Sequence, residues 1–145
     1  MGREEIKIAG ASLAGLAAAI NLAKAGIEVD VFEKRSDTGK RFQGDLQGLE
    51  NWLSEANVLD LLSDMNLRVN FDCVPYLIQI TTNGVKSRIS TYDEPLCYLL
   101  KRGDVPGSLD QGLKDQALES GLSIHFSKTV SLEEADIIAT GPTIK

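Results

Sequence analysis

The chain has 145 residues, with 15 Lys and Arg against 21 Asp and Glu, and a formal net charge of −6. That balance argues against a nucleic-acid surface, which needs clustered Lys and Arg to neutralise phosphates. No apolar run approaches the roughly 20 residues of a membrane span, and Arg3-Glu4-Glu5 leads straight into a strand without a secretory pattern.

In chain order, residues 6–9 read as a short apolar strand. Gly10 allows a sharp turn because it has no Cβ to clash. A helix follows to Lys24 or Ala25, with Gly15 and Ala19 small where it presses on the strand. Gly26 ends it as a left-handed C-cap. Ile27, Val29 and Val31 build a second strand, and Glu33 stands at its end. Strand, turn, helix, strand and acid in this register form a dinucleotide fingerprint. Free N–H groups at a helix N-terminus hold a pyrophosphate, and a carboxylate about 20 residues on accepts ribose hydroxyls. The expected cradle is Gly10, Ala11, Ser12, Leu13, Ala14 and Gly15, with Glu33 as the ribose acid. Ser12 replaces the middle glycine of the pattern. Its hydroxyl suits either a phosphate oxygen or the helix cap.

Residues 34–44 have no period and many turn formers, so a loop is expected. It follows the ribose acid, which brings Lys34, Lys40 and Arg41 near the nucleotide. Lys34 and Arg35 suit a 2′-phosphate, but the Glu33 carboxylate would repel one. Asp45 to Asn66 reads as helical, with Leu46, Leu49, Trp52 and Leu53 at helical spacing and a second helix starting at Asn57. Trp52 is expected in the core.

Val74 to Thr91 reads as a hairpin, with a two-residue type I′ turn at Asn83-Gly84. Leu96 to Lys101 is a third strand. A second capped helix runs from Ser108 to Gly121, with Leu109, Leu113, Ala117 and Leu118 as its stripe. Leu122 to Phe126 and Ala135 to Gly141 are further strands. His125 has no acid or nucleophile near it in sequence and is read as structural. Cys73 and Cys97 fit no metal or redox spacing and are read as reduced, buried thiols of a cytoplasmic protein.

Two strand–helix–strand units point to an α/β fold, a Rossmann-like parallel sheet in the order 122–126, 27–32, 6–9, 136–140. Residues 71–101 are expected as a separate antiparallel flap inserted into one domain spanning 1–145. The sheet's carboxyl edge then gathers Gly10, Ser12, Glu33 and Gly141.

The chain resembles the N-terminal part of FAD-dependent oxidoreductases of the glutathione-reductase-like group, in the geranylgeranyl reductase and aromatic hydroxylase branch. Four stretches carry the resemblance: Gly10 to Glu33, Arg41-Phe42-Gln43-Gly44-Asp45-Leu46-Gln47-Gly48, Arg102 with Leu109-Asp110, Leu113 and Ala117, and Ala139-Thr140-Gly141. It implies that Arg102, Thr140 and Gly141 lie beside FAD. Such proteins normally continue with a Gly-Asp motif for the flavin side and a substrate domain, and neither is present in this sequence. The resemblance therefore implies a site for the ADP part of FAD, without turnover by this chain alone. NAD is the alternative cofactor. The alternative class is a noncatalytic nucleotide-sensing or interaction module that binds a second copy or another protein through the 71–101 flap. No catalytic group and no metal site is readable.

Overall fold

The structure is a computed structural model that describes residues 5–53, 55–69 and 73–141; at 88 and 89 only the backbone is described. In chain order the elements are β1 (Glu5–Ala9), α1 (Leu13–Lys24), β2 (Glu28–Glu33), β3 (Gln43–Glu50), α2 (Val58–Asp64), β4 (Cys73–Tyr76), β5 (Ile78–Thr82), β6 (Ser87–Thr91), β7 (Cys97–Gly103), α3 (Leu109–Glu119), β8 (Ser123–Phe126) and β9 (Ile137–Ile138).

The parallel sheet has the order β8-β2-β1-β9, as the sequence suggests. Alternation sends Val29 and Val31 of β2 to the face that α1 covers, where they are buried with Ile8 of β1. Leu16, Ala19 and Ile20 of α1 complete this core with Leu113 and Ala117 of α3. Gly15 has no room for a side chain: a Cβ there would lie 2.1 Å from the Gly10 carbonyl oxygen. This contact seats α1 directly on the end of β1. Ser12 caps α1, its hydroxyl accepting the Gly15 N–H at 3.3 Å. Ser108 caps α3 in the same way, accepting from Gln111 N at 3.1 Å. Leu118, expected in the α3 stripe, is exposed instead.

The other residues of β2, Asp30 and Phe32, point to the opposite face. There His125 Nε2 lies 2.8 Å from Asp30 Oδ1, and the His125 ring stacks on Phe32 at 4.9 Å between centroids. The acid missing from the sequence neighbourhood of His125 thus comes from the adjacent strand. The His125 hydrogen bond holds the Asp30 carboxyl below the ordinary carboxylate range. A hydrogen bond to Asp30 and repulsion from its charge push Glu5 above it.

The segment between β2 and α3 departs most from expectation. Residues 43–50 form strand β3, not the start of a helix, and β3 pairs antiparallel with β7. Gly44 at φ 88° and Gly48 are poor helix residues, and the β7 ladder gives this stretch partners a helix would forgo. Trp52 and Leu53 are exposed rather than in the core. The expected helix start at Asn57 is present as the cap of α2, with Asn57 Oδ1 accepting the Leu59 N–H at 2.9 Å.

The expected continuous hairpin is split. β4 joins a three-stranded sheet of order β3-β7-β4, while β5 and β6, among the described residues, pair only with each other. The break is at Leu77, whose carbonyl accepts from Tyr92 N while Tyr76 accepts from Leu96 N. Thr82 pairs with Ser87 and the Asn83 N–H donates to the Lys86 carbonyl at 3.2 Å, so the turn centres on Gly84 and Val85, one residue later than expected, and Asn83 lacks the positive φ of a type I′ turn. Asn83 Oδ1 closes it by accepting from Val85 N at 3.1 Å and Lys86 N at 2.9 Å. Residues 71 and 72 of the expected flap lie outside the described residues. Cys73 and Cys97 are free and only half-buried, and burial pushes the Cys73 thiol up.

Candidate functional site

The carboxyl ends of β1, β2 and β9 open onto a cleft of about 310 Å³. This is the edge at which ligands sit in open α/β sheets. Gly10, at φ 106°, makes the turn out of β1 and lies so close to β9 that a Cβ would meet Ala139 O at 2.5 Å. The chain then enters α1. Among the described residues no acceptor takes the N–H groups of Ser12, Leu13 or Ala14. The first amides of any helix lack intrahelical partners, and they carry the positive end of its dipole.

Ala11 is held at both ends. Its N–H donates to Glu33 Oε2 at 3.0 Å. Its carbonyl accepts from Thr38 Oγ1 at 2.5 Å, and Thr38 is buried. Glu33 also accepts from Arg35 N through Oε1 at 2.9 Å, so both carboxylate oxygens are anchored while each retains acceptor capacity.

The far wall is built around Arg102 and Asp110, both buried. Asp110 accepts from Arg102 Nε at 2.8 Å, from Arg102 Nη2 at 3.1 Å and from Gly103 N at 2.8 Å. Arg102 also donates to Gln47 and lies over the Phe42 ring at 4.2 Å. Gly39 ties this wall to the loop after β2, since a Cβ there would meet Gly103 C at 2.6 Å. Arg41 reaches across the cleft mouth, with Nη1 3.6 Å from where a Gly141 Cβ would be. Lys40 pairs with Asp104 at 2.7 Å, which holds the Asp104 carboxyl below its ordinary range and the Lys40 ammonium above its own.

Of the twelve residues expected at the site, Gly10, Ala11, Ser12, Glu33, Lys34, Arg41, Arg102, Thr140 and Gly141 line this one cleft. Leu13 packs against the core, Ala14 is exposed and Gly15 is buried beneath the turn. The last three contribute main chain, and no side chain, to the turn. Phe32, Asp37, Thr38 and Gly39 also build the site without a signal in the sequence, and Asp110, which the resemblance places with Arg102, holds that arginine. Thr38 and Asp37 lie in a stretch without period, and only the folded chain brings Thr38 to Ala11. Among the described residues no group of His, Cys, Asp and Glu is arranged to hold a metal ion, and no helix is long and apolar enough to cross a membrane.

Residues 8–45 match the family model of NAD(P)-binding Rossmann-like domains. No curated protein matches the chain. Among solved structures it is similar to a tetrameric form of 2-methyl-3-hydroxypyridine-5-carboxylic acid oxygenase, at 24% identity and TM-score 0.66, covering 88% of this chain and 32% of that one. It is also similar to a geranylgeranyl bacteriochlorophyll reductase-like protein from Thermoplasma acidophilum, at 18% identity and TM-score 0.60, covering 87% and 31%. A flavin-dependent brominase matches at 20% identity and TM-score 0.51, covering 84% and 28%. The chain spans about a third of the length of these structures. The resemblance to FAD-dependent oxidoreductases read from the sequence agrees with them. The chain thus carries the Rossmann-like fold, with the turn from β1 into α1 and the acid ending β2 inside the stretch that matches the NAD(P)-binding domain model.

Proposed function

We propose that the cleft holds the ADP part of FAD, and that the chain supplies the nucleotide half of a site in a flavin-dependent oxidoreductase. The observation that carries this reading is that Ser12 and the Glu33 carboxylate line one cleft, with the amides of Ser12, Leu13 and Ala14 left open at the start of α1 beside it. The donor set fits the group: N–H donors and a helix dipole for the pyrophosphate, a carboxylate for the ribose hydroxyls. FAD, when bound, supplies the redox chemistry. The chain's own part is to orient. Ser12 to Ala14 fix the pyrophosphate, Glu33 fixes the sugar, and Arg41 and Lys34 add positive charge at the mouth. NAD is the alternative ligand, because Glu33 suits either ribose. We place the chain in the cytoplasm, as one dinucleotide-binding unit carrying the 71–101 insertion, and without turnover by itself.

Calorimetric titration with FAD, ADP and NAD tests this. FAD and ADP are expected to bind at submillimolar to millimolar concentration. Absence of binding by every adenine dinucleotide at millimolar concentration sinks the reading.

A second reading, an interaction module, draws on the exposed apolar side chains of Val74, Tyr76, Ile78 and Ile80 along β4 and β5. It expects assembly in solution. A strict monomer by light scattering, with β5 and β6 protected from hydrogen exchange, removes it.

A further inference from the structure

We infer that Thr38 is a positioning residue for the pyrophosphate, acting through the peptide that joins Ala11 to Ser12; this rests on the reading of the cleft as a nucleotide site. The Thr38 hydroxyl donates to the Ala11 carbonyl at 2.5 Å, and the residue is 1% exposed. A peptide unit is planar and trans, so its N–H points opposite to its C=O. Anchoring the Ala11 oxygen on Thr38 therefore fixes the direction of the Ser12 N–H. Thr38 does not itself line the cleft. It orients a donor that does.

Two further contacts make the anchor rigid. Glu33 holds the N–H of the same Ala11 at 3.0 Å, which leaves the peptide after it as the remaining freedom of the turn. Thr38 is itself fixed, its N–H donating to Asp37 Oδ1 at 2.7 Å, and Asp37 is held by Lys114 of α3 at 2.8 Å. The anchor is thus braced against α3 rather than against the loop alone. Preorganised donors bind an anion without ordering the turn during binding.

The test compares ADP with adenosine, which lacks the phosphates, for wild type, Thr38→Val and Thr38→Ser. Binding is followed by amide chemical shifts. Thr38→Val keeps the shape and removes the hydroxyl. It is expected to weaken ADP about tenfold and adenosine less than twofold, while Thr38→Ser restores ADP binding to within about threefold. If Thr38→Val binds ADP like wild type, or if ADP and adenosine weaken alike, or if Thr38→Ser gives no rescue, the positioning role is wrong. Should Thr38→Val fail to fold, the wild-type protein still decides. The Ser12 amide must be among those that ADP shifts and adenosine does not, and an unshifted Ser12 amide overturns the inference. A wild type that does not bind ADP defeats the nucleotide reading, and the role of Thr38 with it.

Discussion

The Glu33 carboxylate accepts the Ala11 N–H at 3.0 Å, so the acid that ends β2 is bonded directly to the turn that ends β1. Neighbouring parallel strands bring the two together, with Ala9 opposite Phe32 in the register. One residue thereby couples the two halves of the site, the sugar acceptor and the anion turn.

Glu33→Gln keeps an oxygen for the Ala11 N–H but removes the charge. ADP affinity should fall about tenfold, because a hydrogen bond to a charged acceptor becomes a neutral one. Discrimination against a 2′-phosphate should fall too, since the repelling charge is gone. Competition between ADP and 2′-phospho-ADP measures both effects. Unchanged ADP affinity in this variant removes Glu33 from the ribose site.

Ser12 binds Gly15 N as a helix cap, and that contact is long at 3.3 Å. Glycine is a tolerable cap, costing only a few tenths of a kcal/mol against serine. Ser12→Gly should therefore leave thermal stability nearly unchanged and ADP affinity equal or tighter. A large loss of affinity would instead make the hydroxyl a required phosphate contact.

Asp110 is the acceptor for three N–H groups of Arg102 and Gly103. Asp110→Asn leaves a buried guanidinium without its counter-charge, which costs about 3–5 kcal/mol in comparable pairs. Urea unfolding should show the midpoint falling with little change in slope. Asp110→Asn with wild-type stability would mean that Arg102 finds compensation elsewhere.

Asp30 titrates below the ordinary carboxylate range in the folded chain because His125 donates to it. A depressed folded value means stability that is present above the unfolded value, near pH 4, and is lost as pH falls through the folded one. Glu5 is shifted the opposite way and acts with opposite sign. His125→Phe keeps the ring against Phe32 and removes the hydrogen bond. Its unfolding free energy should decline less than that of wild type below about pH 4. Parallel pH profiles for the two proteins would remove the Asp30–His125 contact from acid stability.

The parallel sheet was legible because its signals are local. Ser12, Gly26, Ser108 and Gly121 bracket their helices, and Val29 and Val31 alternate with Asp30 and Phe32. The turn after β1 and Glu33 were legible for the same reason. β3 was not. Leu46 and Leu49 satisfy a helical spacing as well as a strand, and β7, more than fifty residues on, decides between them: Leu46 pairs with Lys101. Thr38 and the Asp30–His125 pair carry no sequence pattern, since 27 and 95 residues separate the partners. The hairpin turn is displaced by one residue from the Asn83-Gly84 pair, because Asn83 bonds across to Lys86 through its own N–H and its side chain accepts from Val85 N and Lys86 N.

The most direct measurement is an amide chemical-shift map of the whole chain titrated with ADP. Saturable shifts are expected to concentrate at Ser12, Leu13 and Ala14, with smaller ones at Ala11, Glu33 and Gly141. Saturable shifts centred elsewhere, or none at millimolar ADP, would contradict the reading of the cleft as a nucleotide site.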